Sequence, residues 1–191
     1  MRASFDRADH LVYADWTEQP RAAFDPWITM AGIATRTDDV TPGTWVTTLP
    51  RRQPWQVARN LATLDHLSNG RVPLGAGLGA EPLYTTFGEP RGSTTLGEKY
   101  DEALDVITDL WSGEPFSYDG DHYTVDEATM LPTPCRNRAS LVVMGCWWPN
   151  KKPFARGPTT MASCRTGRRC SGTGSTERER DRERRRKRCG K

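Results

Sequence analysis

Asp9-His10 sets a carboxylate beside an imidazole, the side chain whose ordinary titration falls near neutral pH, so the pair can hold and pass a proton. On its own the dipeptide reads more readily as surface polarity. Farther along, Gly75-Ala76-Gly77-Leu78-Gly79 bares backbone N–H groups that could approach a phosphate or a flat ring. These glycines lack the GxGxxG spacing of dinucleotide-binding loops, and a tight turn is the simpler account of them. Residues 177–188, ERERDRERRRKR, carry eight basic side chains of the kind that grip phosphate without sequence choice. Four interleaved acids and the lack of an aromatic for base stacking argue against nucleic acid as a partner. The five cysteines, at 135, 146, 164, 170 and 189, form no CxxC pair, so neither a metal site nor a disulfide framework is expected.

The elements that must position the glycines are legible around them. Residues 44–48 form a short β-branched and aromatic run that predicts a strand. Pro54 suits a first helical position, and Val57, Ala58, Leu61, Leu64 and Leu67 follow at helical spacing until Asn69-Gly70 stops the helix. Residues 72–74 then predict a strand running into the glycines. A strand, helix and strand of this length make a crossover between parallel strands, which need helices on their faces, so the fold class is α/β. Upstream, Asp25-Pro26 opens a helix with Trp27, Ile28, Ala31 and Ala34 on its apolar side. Downstream, Thr95-x-x-Glu98 reads as a capping box before the stripe Leu96, Tyr100, Ala103, Leu104, Ile107, Leu110 and Trp111. Residues 116–125 alternate about Asp119-Gly120 as a hairpin, on which His122 is expected at the surface, and residues 141–144 predict a further strand.

The segment GTWVTTLPRRQPWQVARNLATLDHLSNGRVPLGAGLG resembles the third strand, third helix and fourth strand of the luciferase-like flavin-dependent oxidoreductases, and EKYDEALDVITDLWSGEPFSYDGDHY and LVVMGCWWPNKKPF continue the likeness in order. It covers roughly residues 8–156. The resemblance implies a partial (β/α)8 TIM barrel holding about strands two to five, with a small inserted β-hairpin. It also implies binding of FMN, or alternatively the deazaflavin coenzyme F420, at the strand ends. Reduced flavin would then activate oxygen or pass a hydride to a small organic substrate. Asp9 and His10 would end the second strand facing the reactive part of the flavin, with His10 the group for proton transfer. A non-proline cis peptide is implied at Trp45-Val46, behind the ring, with Thr47 and Thr48 able to bond a flavin carbonyl. Gly75, Gly77, Gly79 and Gly145 would complete the cofactor contacts, and Trp147-Trp148 lie near a substrate pocket. Ala80 stands where deazaflavin-using relatives carry a catalytic glutamate, with Glu81 and Tyr84 close by. Relatives of this kind are often dimeric.

Composition divides the chain. Of its 191 residues, the first 156 hold 15 basic and 20 acidic side chains and the last 35 hold 12 and 4. Residues 157–191 contain no Leu, Ile, Val, Phe, Tyr or Trp, so they have little apolar surface to offset chain entropy and are expected to be a disordered C-terminal tail. Codons compatible with the residues after Arg156, read two nucleotides later, admit a glycine and a following apolar pair, so the tail is expected to be an out-of-frame reading. A barrel takes about 250 residues; with only seven residues before Ala8 the chain is expected to start inside one and to be a fragment without activity of its own. The N-terminus lacks a long apolar stretch, so no signal peptide or membrane span is expected and the cytoplasm is the default compartment.

Overall fold

The computed structural model describes residues 4–7, 24–79, 84–89, 92–135 and 142–144. Strand β1 (Ser4–Arg7) is followed by helix α1 (Pro26–Arg36), strands β2 (Thr41–Thr44) and β3 (Thr47–Thr48), a 3-10 turn (Leu49–Arg51), helix α2 (Pro54–Leu67), strand β4 (Leu74–Gly77), helix α3 (Ser93–Leu110), the hairpin strands β5 (Phe116–Asp119) and β6 (Thr124–Ala128), and strand β7 (Val142–Met144). β1 runs parallel to β2 with Arg7 opposite Thr44; β3 runs parallel to β4 with Thr48 opposite Gly77; β4 runs parallel to β7 with Ala76 opposite Met144. The parallel α/β arrangement is the one expected.

Helix α1 starts where the Asp25 carboxylate accepts the N–H groups of Trp27 and Ile28, both at 2.9 Å. It buries Pro26, Trp27, Met30 and Ala34, whereas Ile28, expected on that face, is 76% exposed. At about 100° per residue Ile28 lies on the far side of the helix from Met30 and Ala34. Helix α2 buries Val57, Ala58, Leu61 and Leu64. It ends as expected at Asn69 and Gly70, both in the left-handed region with φ of 52° and 74°. Arg71, buried, then reaches back to the end of α1. Its guanidinium donates to the carbonyls of Ala34 (2.7 Å), Thr37 (2.6 Å), Val40 and Ser68 (2.7 Å), satisfying helix-end carbonyls that the next strand would otherwise cover.

Three expectations change in position. The predicted strand over 44–48 is two strands, parted at Trp45 and Val46. The strand placed at 72–74 lies at Leu74–Gly77, so Gly75 and Gly77 sit inside the ladder, where pairing with β3 and β7 fixes the register. Helix α3 begins at Ser93 with Gly92 before it, so Thr95 is already helical and makes no cap bond. Of the expected stripe, Tyr100, Ala103, Ile107, Leu110 and Trp111 are buried, while Leu96 and Leu104 are half-buried and Val106, not in that stripe, is buried with them; the Trp111 indole N–H donates to the Ala58 carbonyl at 3.1 Å. The hairpin is present, but four residues, 120–123, separate its strands. The Glu102 carboxylate closes that turn by accepting from the N–H groups of Asp121, His122 and Tyr123 at 3.0–3.1 Å. His122 is mostly covered, with Nε2 3.5 Å from Glu98. Cys135 is buried and disulfide-bonded, its partner lying outside the described residues; the sequence had supported no such bond.

Candidate cofactor site at the strand ends

The chain crosses from β2 to β3 through Trp45-Val46, and the peptide bond between them is cis, as the resemblance implied. Thr44, the last residue of β2, takes over pairing at this break. Its hydroxyl accepts from the Gly75 N–H (3.2 Å) and donates to the Gly75 carbonyl (3.1 Å), while the Thr47 hydroxyl donates to Thr44 Oγ1 (2.9 Å). Thr47 is fully buried and its proton is engaged. Thr48 differs. It is 3% exposed, and its hydroxyl has no hydrogen-bond partner among the described residues.

The glycines explain how β4 comes so near. A Cβ on Gly75 would fall on the carbonyl oxygen of Thr44, and one on Gly77 would fall on Cγ2 of Val46, each far inside contact distance. They serve first as close-approach residues rather than as a turn. The result is a patch at the C-terminal ends of β2 and β4 where Val46, just before β3, lies over the bare backbone of Gly77 and Trp45 is 40% exposed. Gly79 follows with φ 75°, a conformation that favours glycine, and is exposed.

A polar clasp holds the segment beyond. Arg51, directly after β3, binds Glu89 through two bonds, Nε to Oε2 at 2.7 Å and Nη2 to Oε1 at 2.5 Å. The same guanidinium lies 5.7 Å from the Tyr84 ring centre and 5.3 Å from that of Phe87. The Tyr84 hydroxyl donates to the Leu78 carbonyl at 2.5 Å. Hydrogen bonding from Arg51 lowers the Glu89 carboxyl below its usual range, and burial raises Tyr84 to about 12. Sequence reasoning passed over Arg51 and Glu89: they stand 38 residues apart, and no spacing pattern links them.

Of the sequence-predicted site residues, the structure brings Trp45, Val46, Thr47, Gly75 and Gly77 together where β2 passes into β3 beside β4, and Gly79 follows two residues after β4. Asp9, His10 and Gly145 lie outside the described residues, as do Glu81 and Trp147-Trp148; β1 ends two residues before Asp9, and β7 ends at Met144. The side-chain-poor apolar patch, the buried Thr48 hydroxyl without a partner and the open backbone at Gly79 suit a flat ring with a polar edge. Arg51, the cation next to this end, is already held by Glu89.

A family model described as luciferase-like monooxygenase matches residues 6–163. The chain is 35% identical over 135 residues to an F420-dependent hydroxymycolic acid dehydrogenase of Mycobacterium tuberculosis, covering 66% of this chain and 35% of that protein. It is 26% identical over 150 residues to the oxygenase component of a flavin-dependent trigonelline monooxygenase of Acinetobacter baylyi, covering 75% of this chain and 41% of that one. Among solved structures, the oxygenating constituent of 3,6-diketocamphane monooxygenase from Pseudomonas putida, in complex with FMN, superposes with a TM-score of 0.62 at 21% identity, over 74% of this chain and 41% of that one. The relatives thus include F420-dependent and flavin-dependent enzymes, and this chain spans well under half of each.

Proposed function

Because the chain belongs to the luciferase-like monooxygenase family, we propose that it carries the ring-binding part of an oxidoreductase site that takes FMN, or alternatively coenzyme F420, and acts on a small organic substrate. The observation that supports this most is the close approach of the Val46 side chain to Gly77, whose register partner Thr48 has a buried hydroxyl with no hydrogen-bond partner among the described residues. Bound reduced flavin supplies the reaction, activating oxygen or donating hydride. The residues of the chain then orient and shield. Val46, Gly77 and Trp45 form the surface on which a ring rests, and Thr48 offers its hydroxyl to the polar edge. The Thr44–Thr47–Gly75 bonds hold that surface rigid. Asp9-His10 is the proton-transfer pair and Gly145 a backbone contact from the next strand, both assigned from the resemblance.

The same reading makes residues 1–156 the barrel piece, placed in the cytoplasm and, from the resemblance, able to pair as a dimer, and residues 157–191 a basic tail. Among the described residues no helix is long and apolar enough to cross a membrane. Nucleic-acid binding by residues 177–188, the alternative drawn from composition, finds no support in the relatives. Fluorescence titration of the full chain with FMN, riboflavin and F420 tests the proposal. With Arg51 engaged and no other phosphate anchor assigned, FMN and riboflavin should quench weakly and with affinities within about threefold of each other. Thr48→Val should weaken both by about three- to tenfold, the loss of one buried hydrogen bond. No saturable quenching by any of the three would overturn the ring-site reading.

A further inference from the structure

The Arg51 clasp ends on a peptide bond of the proposed site. Tyr84 donates its hydroxyl to the Leu78 carbonyl, and Leu78 joins Gly77 to Gly79. In a planar trans peptide the carbonyl and the following N–H point to opposite sides, so taking the Leu78 carbonyl toward Tyr84 turns the Gly79 N–H away from it. That N–H belongs to an exposed residue and has no hydrogen bond among the described residues. We propose that Tyr84, braced by Arg51 and Glu89, is a positioning residue that fixes the Leu78–Gly79 peptide and so presents the Gly79 N–H as a donor to an oxygen of the bound ring. The inference rests on the ring-site reading above and adds to it the residues that aim one of its donors.

Geometry supports the brace from two directions. The tyrosine ring is held against the guanidinium at 5.7 Å, and the guanidinium cannot swing away while both of its bonds to Glu89 persist. Glu89 meets Arg51 from the turn after β3, lies in the field of Lys99 from α3 and shares its own segment with Tyr84. The Tyr84 hydroxyl is protonated at neutral pH, as donation to a carbonyl requires, and burial moves its titration further upward.

The test follows glycine amide resonances of the full chain, labelled with 15N-glycine, during addition of FMN. In the wild type the Gly79 signal should move with FMN. Tyr84→Phe removes only the hydroxyl; it should weaken FMN binding about three- to tenfold and abolish the Gly79 movement while leaving the signals of Gly75 and Gly77 in place. Glu89→Gln, which removes the negative charge and one acceptor from the Arg51 clasp without altering Tyr84, should give a smaller loss in the same direction, and it decides the matter if Tyr84→Phe disturbs the sheet signals. Wild-type affinity together with a retained Gly79 shift in both variants would overturn the proposal and leave the ring site standing. If FMN moves none of Gly75, Gly77 and Gly79 in the wild type, the ring-site reading itself falls, and this inference with it.

Discussion

Gly75 and Gly77 differ from Gly32 in what a methyl group would meet. At Gly77 the added carbon collides with a valine side chain that can give slightly, so Gly77→Ala should cost about 1–3 kcal/mol, the range for overpacking. At Gly75 it collides with the carbonyl of Thr44, which the sheet holds, and Gly75→Ala should cost more than Gly77→Ala. Gly32 lies in helix α1 with nothing within 4 Å, so Gly32→Ala should stabilise by about 0.5–1 kcal/mol. Urea denaturation of the three variants ranks them. Glu89 gives a pH signature at the same scale. Its folded carboxyl titrates below the ordinary value, so its pairing with Arg51 contributes stability above the unfolded pKa and loses it as pH falls through the folded one. Glu89 is about a third exposed, so the contribution is at most about 1 kcal/mol. Wild type should melt slightly above Glu89→Gln near pH 7, and the two melting points should converge as the pH drops below about 4.

Single polar side chains close several of the elements. Arg71 supplies donors to the end of α1 from a loop beyond α2, and Arg71→Met would leave the carbonyls of Ala34, Thr37 and Val40 without them. A loss of about 1–3 kcal/mol in thermal or urea unfolding is expected, the cost of leaving the buried Ala34 carbonyl alone, since the half-exposed Thr37 and Val40 carbonyls can turn to water. Glu102 does the same for the hairpin turn, and Glu102→Ala should speed hydrogen exchange at residues 121–123 while sparing α2. Such ties join positions far apart in the chain and leave no periodic trace in the sequence. The Asp25 cap, the stop of α2 at Asn69-Gly70, the existence of the hairpin and most of the apolar faces of α2 and α3 are legible locally; Leu67 at the end of one face is exposed, and Leu96 and Leu104 in the other are half-buried. What depended on partners was misplaced. Ile28 does not share the buried stripe that its spacing to Trp27 and Ala31 suggests, and the strand at Gly75 runs past the apolar residues that mark it because its register belongs to β3 and β7.

Across the whole molecule the parallel order of β1, β2, β3, β4 and β7 follows from the alternation of helix and strand signals. The composition of the site does not: glycines and threonines are common in any loop or strand, and only their likeness to a family's wording marked them. The structure adds the reason for the glycines, which is the spacing at Gly75 and Gly77. One feature of that spacing reaches beyond the site. Among the described residues the β1–β2 pair and the β3–β4–β7 sheet share no ladder rung; Thr44 Oγ1 bonds Gly75 across the gap, and the Arg71 guanidinium ties the segment before β4 to the end of α1. A seam stitched by side chains can part before the sheets on either side of it do. Native-state hydrogen exchange should therefore resolve two cooperative units, with β1, α1 and β2 opening at lower free energy than β3, α2 and β4. Thr44→Val, which keeps the shape and removes the stitch, should widen that gap, whereas Thr44→Ser should preserve it; a single cooperative unit in all three proteins would show that the shared apolar core alone holds the halves together.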